Sequence, residues 1–314
     1  MSDTMYALQI IFCIVVIYII FAVAPAAVSL LMTFSAKKAE QFSKLQPGPQ
    51  CMERYGKEAK DAYSFLKSLH GEEVVIKADD GISLSGVFYD GGFEKTVIFI
   101  HGFSATPMSH VALQAQVFYQ KGYNVLLIYQ RAHGKSGGSF TTMGLKEQYD
   151  LLSWIEWARK KTDKILLYGV SMGATTVEYC SDKLDKSVVR GMILDCGFVS
   201  VNEQMISEGK KRNVPLCIMM PNIRIIGRIL FHVNFKETVT NALKKTDIPA
   251  LFLHGRCDKT VPVSDTEKNY DSCASSKEKI IVENAGHTEA FWEGGEAVRQ
   301  RVTAWADKVM SVNA

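Results

Sequence analysis

Short continuous apolar runs recur along the chain after residue 95, and stretches of helical character separate them. Such runs are typical of strands buried on both faces, because a half-exposed strand would alternate apolar and polar residues. Strands that alternate with helices predict a parallel sheet with helices on both sides. The predicted strands are TVIFIH (96–101), YNVLLIY (123–129), KILLY (164–168), VRGMIL (189–194), PALFLH (249–254) and KIIV (279–282).

A β-hairpin precedes this alternating region. Two strand-like runs, residues 72–78 and 82–90, flank an Asp-Asp-Gly sequence, and an Asp-Gly turn between apolar runs is a strong hairpin signal. With the hairpin included, the sequence predicts an α/β fold with a doubly wound, mostly parallel sheet of eight strands. We expect this domain to cover residues 71–314.

One stretch interrupts the alternation of strands and helices. Residues 198–246 contain no clean strand and include the apolar, methionine-bearing sequence RNVPLCIMMPNIRIIGRILFHVNF. We interpret the stretch as an inserted helical cap. Its apolar residues would form the core of the cap or, as an alternative, line a groove for lipid.

The first 36 residues differ in kind from the rest. No charged side chain occurs between Thr4 and Ala36, and about 20 apolar residues suffice for a helix to cross a bilayer. We therefore predict a transmembrane anchor over residues 1–36. A cleaved signal peptide is the alternative, but it would favour a basic start, whereas Asp3 is the one charged side chain before the run. Residues 37–70 are interpreted as a linker (QPGPQ, 46–50) followed by an amphipathic helix.

The distribution of basic residues predicts the orientation of the anchor. Six lysines and arginines follow the apolar run before residue 61, and none precedes it. Because basic residues are retained on the cytoplasmic side, we expect a single-pass protein of the cell membrane whose domain after the apolar run faces the cytoplasm.

Charge and the positions of cysteine and histidine argue against nucleic-acid binding, a disulfide framework and a metal site. The net charge is +3, and no basic stripe marks a nucleic-acid interface. Seven cysteines form no CxxC pair, which favours free thiols over a disulfide framework or a zinc site. No histidine pair has metal-ligand spacing on one element, and we expect neither a metal nor a cofactor.

Three residues with complementary chemistry follow predicted strands. Ser171 follows the strand at 164–168, Asp258 follows 249–254, and His287 follows 279–282. Parallel strands present their carboxyl ends at one edge of a sheet, where ligands bind. A serine hydroxyl needs a base to become a nucleophile; His287 can take its proton, and Asp258 can orient and stabilise the imidazole. Asp195, after the strand at 189–194, is an alternative acid.

An oxyanion that forms on the substrate would need N–H donors. The backbone N–H groups of Met172 and Phe103 are the candidates, since one follows the serine and the other lies in the loop after the strand at 96–101. Gly169 and Gly173 flank the serine, and side chains at these positions would collide with the neighbouring strand and helix.

These residues resemble the α/β-hydrolase family, in its branch of serine esterases, lysophospholipases and peptidases. The resemblance rests on GVSMG (169–173), on RAHGKSGG (131–138), and on the order serine, aspartate, histidine at strand ends. It implies that Ser171 is the nucleophile, Asp258 the acid and His287 the base, and that the insertion at 198–246 is a lid.

Together, residues and resemblance predict a membrane-anchored serine hydrolase that cleaves a carboxylic ester of a small molecule or lipid through an acyl-enzyme. A peptidase or acyl-peptide hydrolase, a thioesterase and an acyltransferase would use the same triad. A membrane-tethered interaction module with a vestigial site is the alternative outside enzymes. The sequence does not predict an oligomeric state.

Overall fold

The computed structural model describes residues 3–36 and 52–311, with no side-chain detail for Asp3 or for residues 52–54. The predicted linker at 46–50 therefore lies outside the described residues. The sheet has eight strands in the order β1-β2-β4-β3-β5-β6-β7-β8. The strands are β1 (Glu72–Lys77), β2 (Ser83–Tyr89), β3 (Thr96–Ile100), β4 (Asn124–Ile128), β5 (Ile165–Val170), β6 (Val189–Asp195), β7 (Ala250–Gly255) and β8 (Lys277–Val282).

Helices cover both faces of this sheet. Strand pairing is antiparallel for β1 with β2 and for β2 with β4, and parallel for the other neighbours. The helices are α1 (Asp3–Tyr18), α2 (Ala24–Phe34), α3 (Met52–Ser68), α4 (Pro107–His110), α5 (Ala112–Gln120), α6 (Glu147–Ala158), α7 (Met172–Cys180), α8 (Val201–Lys211), α9 (Leu216–Leu230), α10 (Val239–Leu243), α11 (Val263–Ser272), α12 (Ala290–Glu293) and α13 (Gly295–Ser311). The predicted doubly wound α/β fold is confirmed.

Two apolar cores lie on opposite faces of the sheet, as the continuous apolar strands require. Along β3, Ile98 and Ile100 belong to one core, which also receives α6 and α7. Val97 and Phe99 belong to the other, which receives α5 and α13. Since successive side chains of a strand point to opposite faces, a strand covered on both sides is apolar at most positions.

Three helices, α8, α9 and α10, occupy the chain between β6 and β7, where the sequence predicts a cap. Helix α9 packs along α2, and the cap residues Phe231 and Phe235 lie against Phe34, at ring-centroid distances of 6.5 and 5.9 Å. The insertion therefore contacts the N-terminal helix as well as the domain that carries it.

The N-terminal helix is long and apolar enough to cross a membrane over Thr4–Phe34. A π-helical segment, Ile19–Val23, joins α1 to α2. Up to Phe21 the large apolar side chains are exposed, whereas beyond this point every fourth side chain, from Ala22 to Phe34, is buried against the rest of the protein. The helix thus has a first part whose apolar side chains are mostly exposed and a second part that docks on the domain.

Candidate active site

Ser171 lies at a sharp corner between β5 and α7. Its backbone has φ +54° and ψ −119°, a conformation that a residue with a side chain adopts only under strain. The Ser171 N–H donates to the carbonyl of Asp195 at the end of β6, at 2.7 Å. The corner therefore holds the hydroxyl at the carboxyl edge of the sheet.

Close backbone contacts explain the two glycines that flank Ser171. A Cβ atom on Gly169 would lie 2.6 Å from Ala174 Cα, and one on Gly173 would overlap the carbonyl group of Ile100 on β3. Real Cβ atoms do not approach backbone so closely, so any side chain at either position would move α7 off the sheet.

The side chains of Ser171, His287 and Asp258 form a continuous hydrogen-bonded chain. Ser171 Oγ lies 2.9 Å from His287 Nε2, and His287 Nδ1 lies 2.6 Å from Asp258 Oδ2. With Nδ1–H donating to the carboxylate, Nε2 is free to accept the serine proton. The Ser171 side chain is nearly buried, and His287 is partly exposed.

Four donors converge on the carboxylate of Asp258. Oδ1 accepts from the backbone N–H groups of Thr260 and Val261, at 2.7 and 2.9 Å, and Oδ2 accepts from His254 Nε2, at 3.1 Å, as well as from His287. Burial alone would raise the pKa of Asp258, but the hydrogen bonds and charges of the two histidines hold this pKa well below its ordinary value. The group therefore stays ionised in the folded protein until strongly acidic pH. The stability that its low pKa contributes is complete above the ordinary carboxyl pKa of about 4 and is lost progressively as the pH falls from there to the lower folded pKa.

His254 is a site residue whose contact with the acid the sequence does not indicate. It lies at the end of β7, fully buried, where Nε2 faces Asp258 and the carbonyl of Val261, and Nδ1 accepts from the Thr266 hydroxyl at 2.7 Å. Its spacing of four residues from Asp258 is the only signal in the sequence, and many strand-end residues share such spacing.

The loop after β3 lies against the nucleophile. A Cβ on Gly102 would come within 3.3 Å of Ser171 Cβ. On either side of Phe103, the N–H of Gly102 donates to His110 Nδ1 at 2.9 Å, and the N–H of Ser104 donates to His133 Nε2 at 3.1 Å. Within the part of the chain that the structure describes, the Phe103 N–H itself has no hydrogen-bond acceptor.

Met172 offers the second backbone donor of the predicted pair. It is the first residue of α7, and a helix provides no internal acceptor for its first N–H groups. The same helix end carries a partial positive charge. Both N–H groups predicted from the sequence, those of Met172 and Phe103, therefore belong to segments adjacent to Ser171.

Neutral histidines support this loop. Burial and, to a lesser extent, repulsion from the charge on His287 together lower the pKa of His110 to about 3. An uncharged His110 keeps an acceptor lone pair for the Gly102 N–H. Burial likewise lowers the pKa of His101 well below its ordinary value, and its Nε2 accepts from the Gln130 N–H. The sequence gives no sign of His110, because the contact depends on the turn into α4.

The RAHGKSGG segment is held by a buried ion pair. Arg131 donates from Nε and Nη2 to the two oxygens of Asp150, at 2.7 and 2.6 Å, and from Nη1 to Asp80 in the β1–β2 turn, at 2.9 Å. These bonds fix the loop that carries His133, which in turn binds the Ser104 N–H. The hairpin turn is thereby connected to the loop beside Ser171.

Asp195, the alternative acid, lies fully buried at the end of β6. Neither of its carboxylate oxygens has a well-formed hydrogen bond among the described residues, and the Cys196 thiol is adjacent. Burial and, less strongly, the neighbouring charge of Asp258 raise the pKa of Asp195 to about 7, against the opposing effects of His254 and the Cys196 thiol. The two aspartates therefore have opposite electrostatic environments.

This environment predicts that Asp195 destabilises the folded state by an amount that depends on pH. Because the folded pKa lies above the ordinary value, the native state is favoured at low pH and loses stability as the pH rises from about 4 to about 7. We compare the free energy of unfolding of Asp195→Asn with that of wild type. This difference should shift in favour of the variant by roughly 2–3 kcal/mol between about pH 5 and about pH 8, at about 1.4 kcal/mol per pKa unit. Thermal unfolding at both pH values measures the gain, with the exposed Asp247→Asn as control; an equal effect at both would contradict it.

One group of potential metal ligands overlaps this site. Donor atoms of Cys196, Asp258 and His287 lie within 4.8 Å of one another. However, Asp258 Oδ2 and His287 Nδ1 are already hydrogen-bonded to each other, and burial raises the pKa of the Cys196 thiol well above its usual range. A metal bound there would have to break that hydrogen bond and deprotonate the thiol, so the arrangement favours proton transfer over coordination.

Proteins similar to this chain in sequence include members of a hydrolase family and uncharacterised relatives. Residues 92–233 match the family model described as "Serine aminopeptidase, S33". The uncharacterised protein YqkD of Bacillus subtilis is 25% identical over 279 residues, which cover 85% of this chain and 90% of YqkD. The uncharacterised membrane protein YNL320W of Saccharomyces cerevisiae is 25% identical, with 67% of this chain and 70% of YNL320W covered.

The comparison of structures gives the same fold. The esterase Pf2001 of Pyrococcus furiosus superposes with a TM-score of 0.66 and 25% sequence identity. The superposition covers 80% of this chain and 94% of that esterase. The matched part therefore includes most of the domain that carries Ser171.

Proposed function

We propose that this chain, which belongs to the α/β-hydrolase family, is a membrane-anchored serine hydrolase that cleaves carboxylic esters through an acyl-enzyme. The observation that carries the proposal is the hydrogen-bonded chain from Ser171 through His287 to Asp258, which begins at a strained corner beside two free backbone donors.

Acylation begins when Ser171 Oγ attacks the ester carbonyl carbon. His287 Nε2 takes the hydroxyl proton, and the carbonyl oxygen becomes an oxyanion that accepts hydrogen bonds from the N–H groups of Met172 and Phe103. Each such donor typically contributes about 2.7–4 kcal/mol to the stability of the transition state. The imidazolium then gives its proton to the leaving alkoxide, so that an alcohol departs and the acyl group remains on Ser171.

Deacylation repeats these steps with water. His287 Nε2 takes a proton from water, the hydroxide attacks the acyl carbon, and the returning proton regenerates the Ser171 hydroxyl as the carboxylic acid leaves. Asp258 remains a carboxylate in both halves. Its hydrogen bond to Nδ1–H keeps the basic nitrogen directed at the serine and stabilises the imidazolium.

A serine peptidase is the second candidate, because the matching family model is described as a serine aminopeptidase. The same triad would then protonate an amine instead of an alcohol. We favour the ester because an alkoxide is the better leaving group and because the superposed Pyrococcus protein, 25% identical, is described as an esterase. An interaction module with a vestigial site would have no use for the intact hydrogen-bonded chain.

A fluorophosphonate probe tests the proposed function, because it reacts with serines that an adjacent base activates. We expect the wild-type protein to be labelled and Ser171→Ala to remain unlabelled, whereas a change at the buried Ser181 should leave labelling intact. Purified wild-type protein should also hydrolyse acyl esters faster than acyl-peptides of equal acyl chain. If the folded wild-type protein never reacted with the probe, the proposed serine hydrolase activity would be excluded.

Probe permeability also tests the proposed orientation. The apolar helix Thr4–Phe34 supports membrane association, and the basic residues after it favour a cytoplasmic domain. In intact cells, a membrane-permeant fluorophosphonate should label Ser171 and an impermeant one should not. Labelling by both would place the domain on the outer side.

A further inference from the structure

The cap helix α9 presents an apolar face to solvent. Ile218, Ile225 and Ile229 are 47%, 59% and 65% exposed, and Leu230 is 52% exposed. The first three are seven and four residues apart, so they line one side of the helix. The opposite side, which includes Met219, Met220, Ile223 and Gly227, is buried. Such a face on a helix is unusual in water and indicates an apolar environment or partner.

The position of α9 beside the N-terminal helix identifies that environment. Asn222 on α9 accepts a hydrogen bond from the Tyr18 hydroxyl at 3.0 Å, and Phe231 packs against Phe34. Contacts therefore join α9 to the apolar helix from its middle to its C-terminal end. Any membrane that this helix enters must reach the neighbourhood of α9 as well.

Helix length supports the same conclusion. Thr4–Phe34 has 31 residues, or roughly 46 Å at ~1.5 Å per residue, whereas the hydrocarbon core is about 30 Å thick. The first part, exposed up to Phe21, is sufficient to occupy most of this core. The second part, on which α9 packs, then lies at the membrane surface. Tyr18, near the end of the first part, lies close to this boundary, where tyrosines are enriched.

Charge around α9 fits a membrane surface rather than a protein partner. Exposed basic residues lie at the end of α8, namely Lys210, Lys211 and Arg212, and Arg228 is exposed on α9 itself. Amphipathic helices with basic flanks bind in the interface plane, with the apolar face about 5–10 Å below the headgroups. The exposed isoleucines would be the residues that enter.

The buried face of α9 connects this surface to the site. Met219, Met220 and Ile223 belong to the same apolar core as Met172, the residue after Ser171, and Phe103 packs against that core. We propose that the outward face of α9 inserts into the bilayer beside the N-terminal helix, and that the site takes an acyl lipid from that bilayer as its substrate. The substrate part rests on the proposed hydrolase function, whereas the insertion part does not.

The insertion is tested with the full-length chain in vesicles of phosphatidylcholine and phosphatidylglycerol. A polarity-sensitive fluorophore on Ile225→Cys, with the exposed native cysteines replaced by serine, should shift to the blue and be quenched by lipids brominated on their acyl chains. The same fluorophore on the exposed Tyr149→Cys of α6 should not respond. Absence of quenching at position 225, or crosslinking of position 225 between two copies of the chain, would overturn the proposal.

The substrate is tested with Ile225→Glu and Ile229→Glu, because each places a charge on the inserted face without touching Ser171. We expect hydrolysis of a vesicle-embedded monoacylglycerol to fall at least tenfold, while hydrolysis of water-soluble p-nitrophenyl acetate stays within twofold of wild type. An equal effect on both substrates would overturn the lipid route. If wild type hydrolyses neither ester, the proposed function itself fails, and the quenching result still decides the insertion.

Discussion

Replacement of Ser171 with alanine is expected to lower kcat/KM for ester hydrolysis by a factor on the order of 10⁴ to 10⁶. The hydroxyl is the only atom of the proposed site that bonds to the acyl carbon, and without it His287 has no nucleophile to deprotonate. What remains is the binding of the oxyanion by the backbone donors, which accelerates attack by water much less. Steady-state kinetics on a short-chain ester measures the loss.

Ser171→Gly distinguishes a lost nucleophile from a damaged fold. Glycine adopts φ +54° without the penalty of a side chain, and strained residues cost about 1–3 kcal/mol. We therefore expect the glycine variant to be as inactive as the alanine variant but to unfold at a higher temperature than wild type. Activity above a tenth of wild type in either variant would mean that another residue attacks the substrate.

The pattern of the sheet could be predicted because burial acts on each strand locally. A strand such as β3 lies between two helical layers, so four of its five residues are apolar, and the signal is contained within that short run. The sequence signal for the hairpin is equally local, since it depends on one Asp-Gly turn. The packing of α9 on α2 could not be predicted, because it joins segments almost 200 residues apart that are both apolar.

The same distinction applies to the site. Ser171 was predictable because its strained corner requires the glycines at 169 and 173, and these leave a pattern in the chain. The contacts of His254 and His110 leave no comparably specific pattern, since they depend on where a side chain points after the chain has folded. The sequence alone does not distinguish a buried histidine that donates to a carboxylate from one that only fills a core.

A conservative change at Asp258 is expected to cost almost as much as loss of the nucleophile. Asp258→Asn should lower kcat by about 10⁴ because it reverses the imidazole tautomer. The N–H groups of Thr260 and Val261 would hold the amide oxygen at the position of Oδ1. The amide NH₂ would then face His287, so that Nδ1 has to accept and Nε2 carries the proton. A protonated Nε2 cannot take the proton of Ser171.

Asp195→Asn is the matched control, because it makes the same chemical change in the other buried aspartate beside the site. Asp195 has no hydrogen bond to His287 among the described residues, so its variant should keep kcat within about threefold of wild type. Fluorophosphonate labelling should slow in parallel with kcat in Asp258→Asn, because both reactions need Nε2 as base. If Asp195→Asn lost activity and Asp258→Asn kept it, the acid that orients His287 would lie after β6 instead of β7, and the four donors around Asp258 would serve the turn alone.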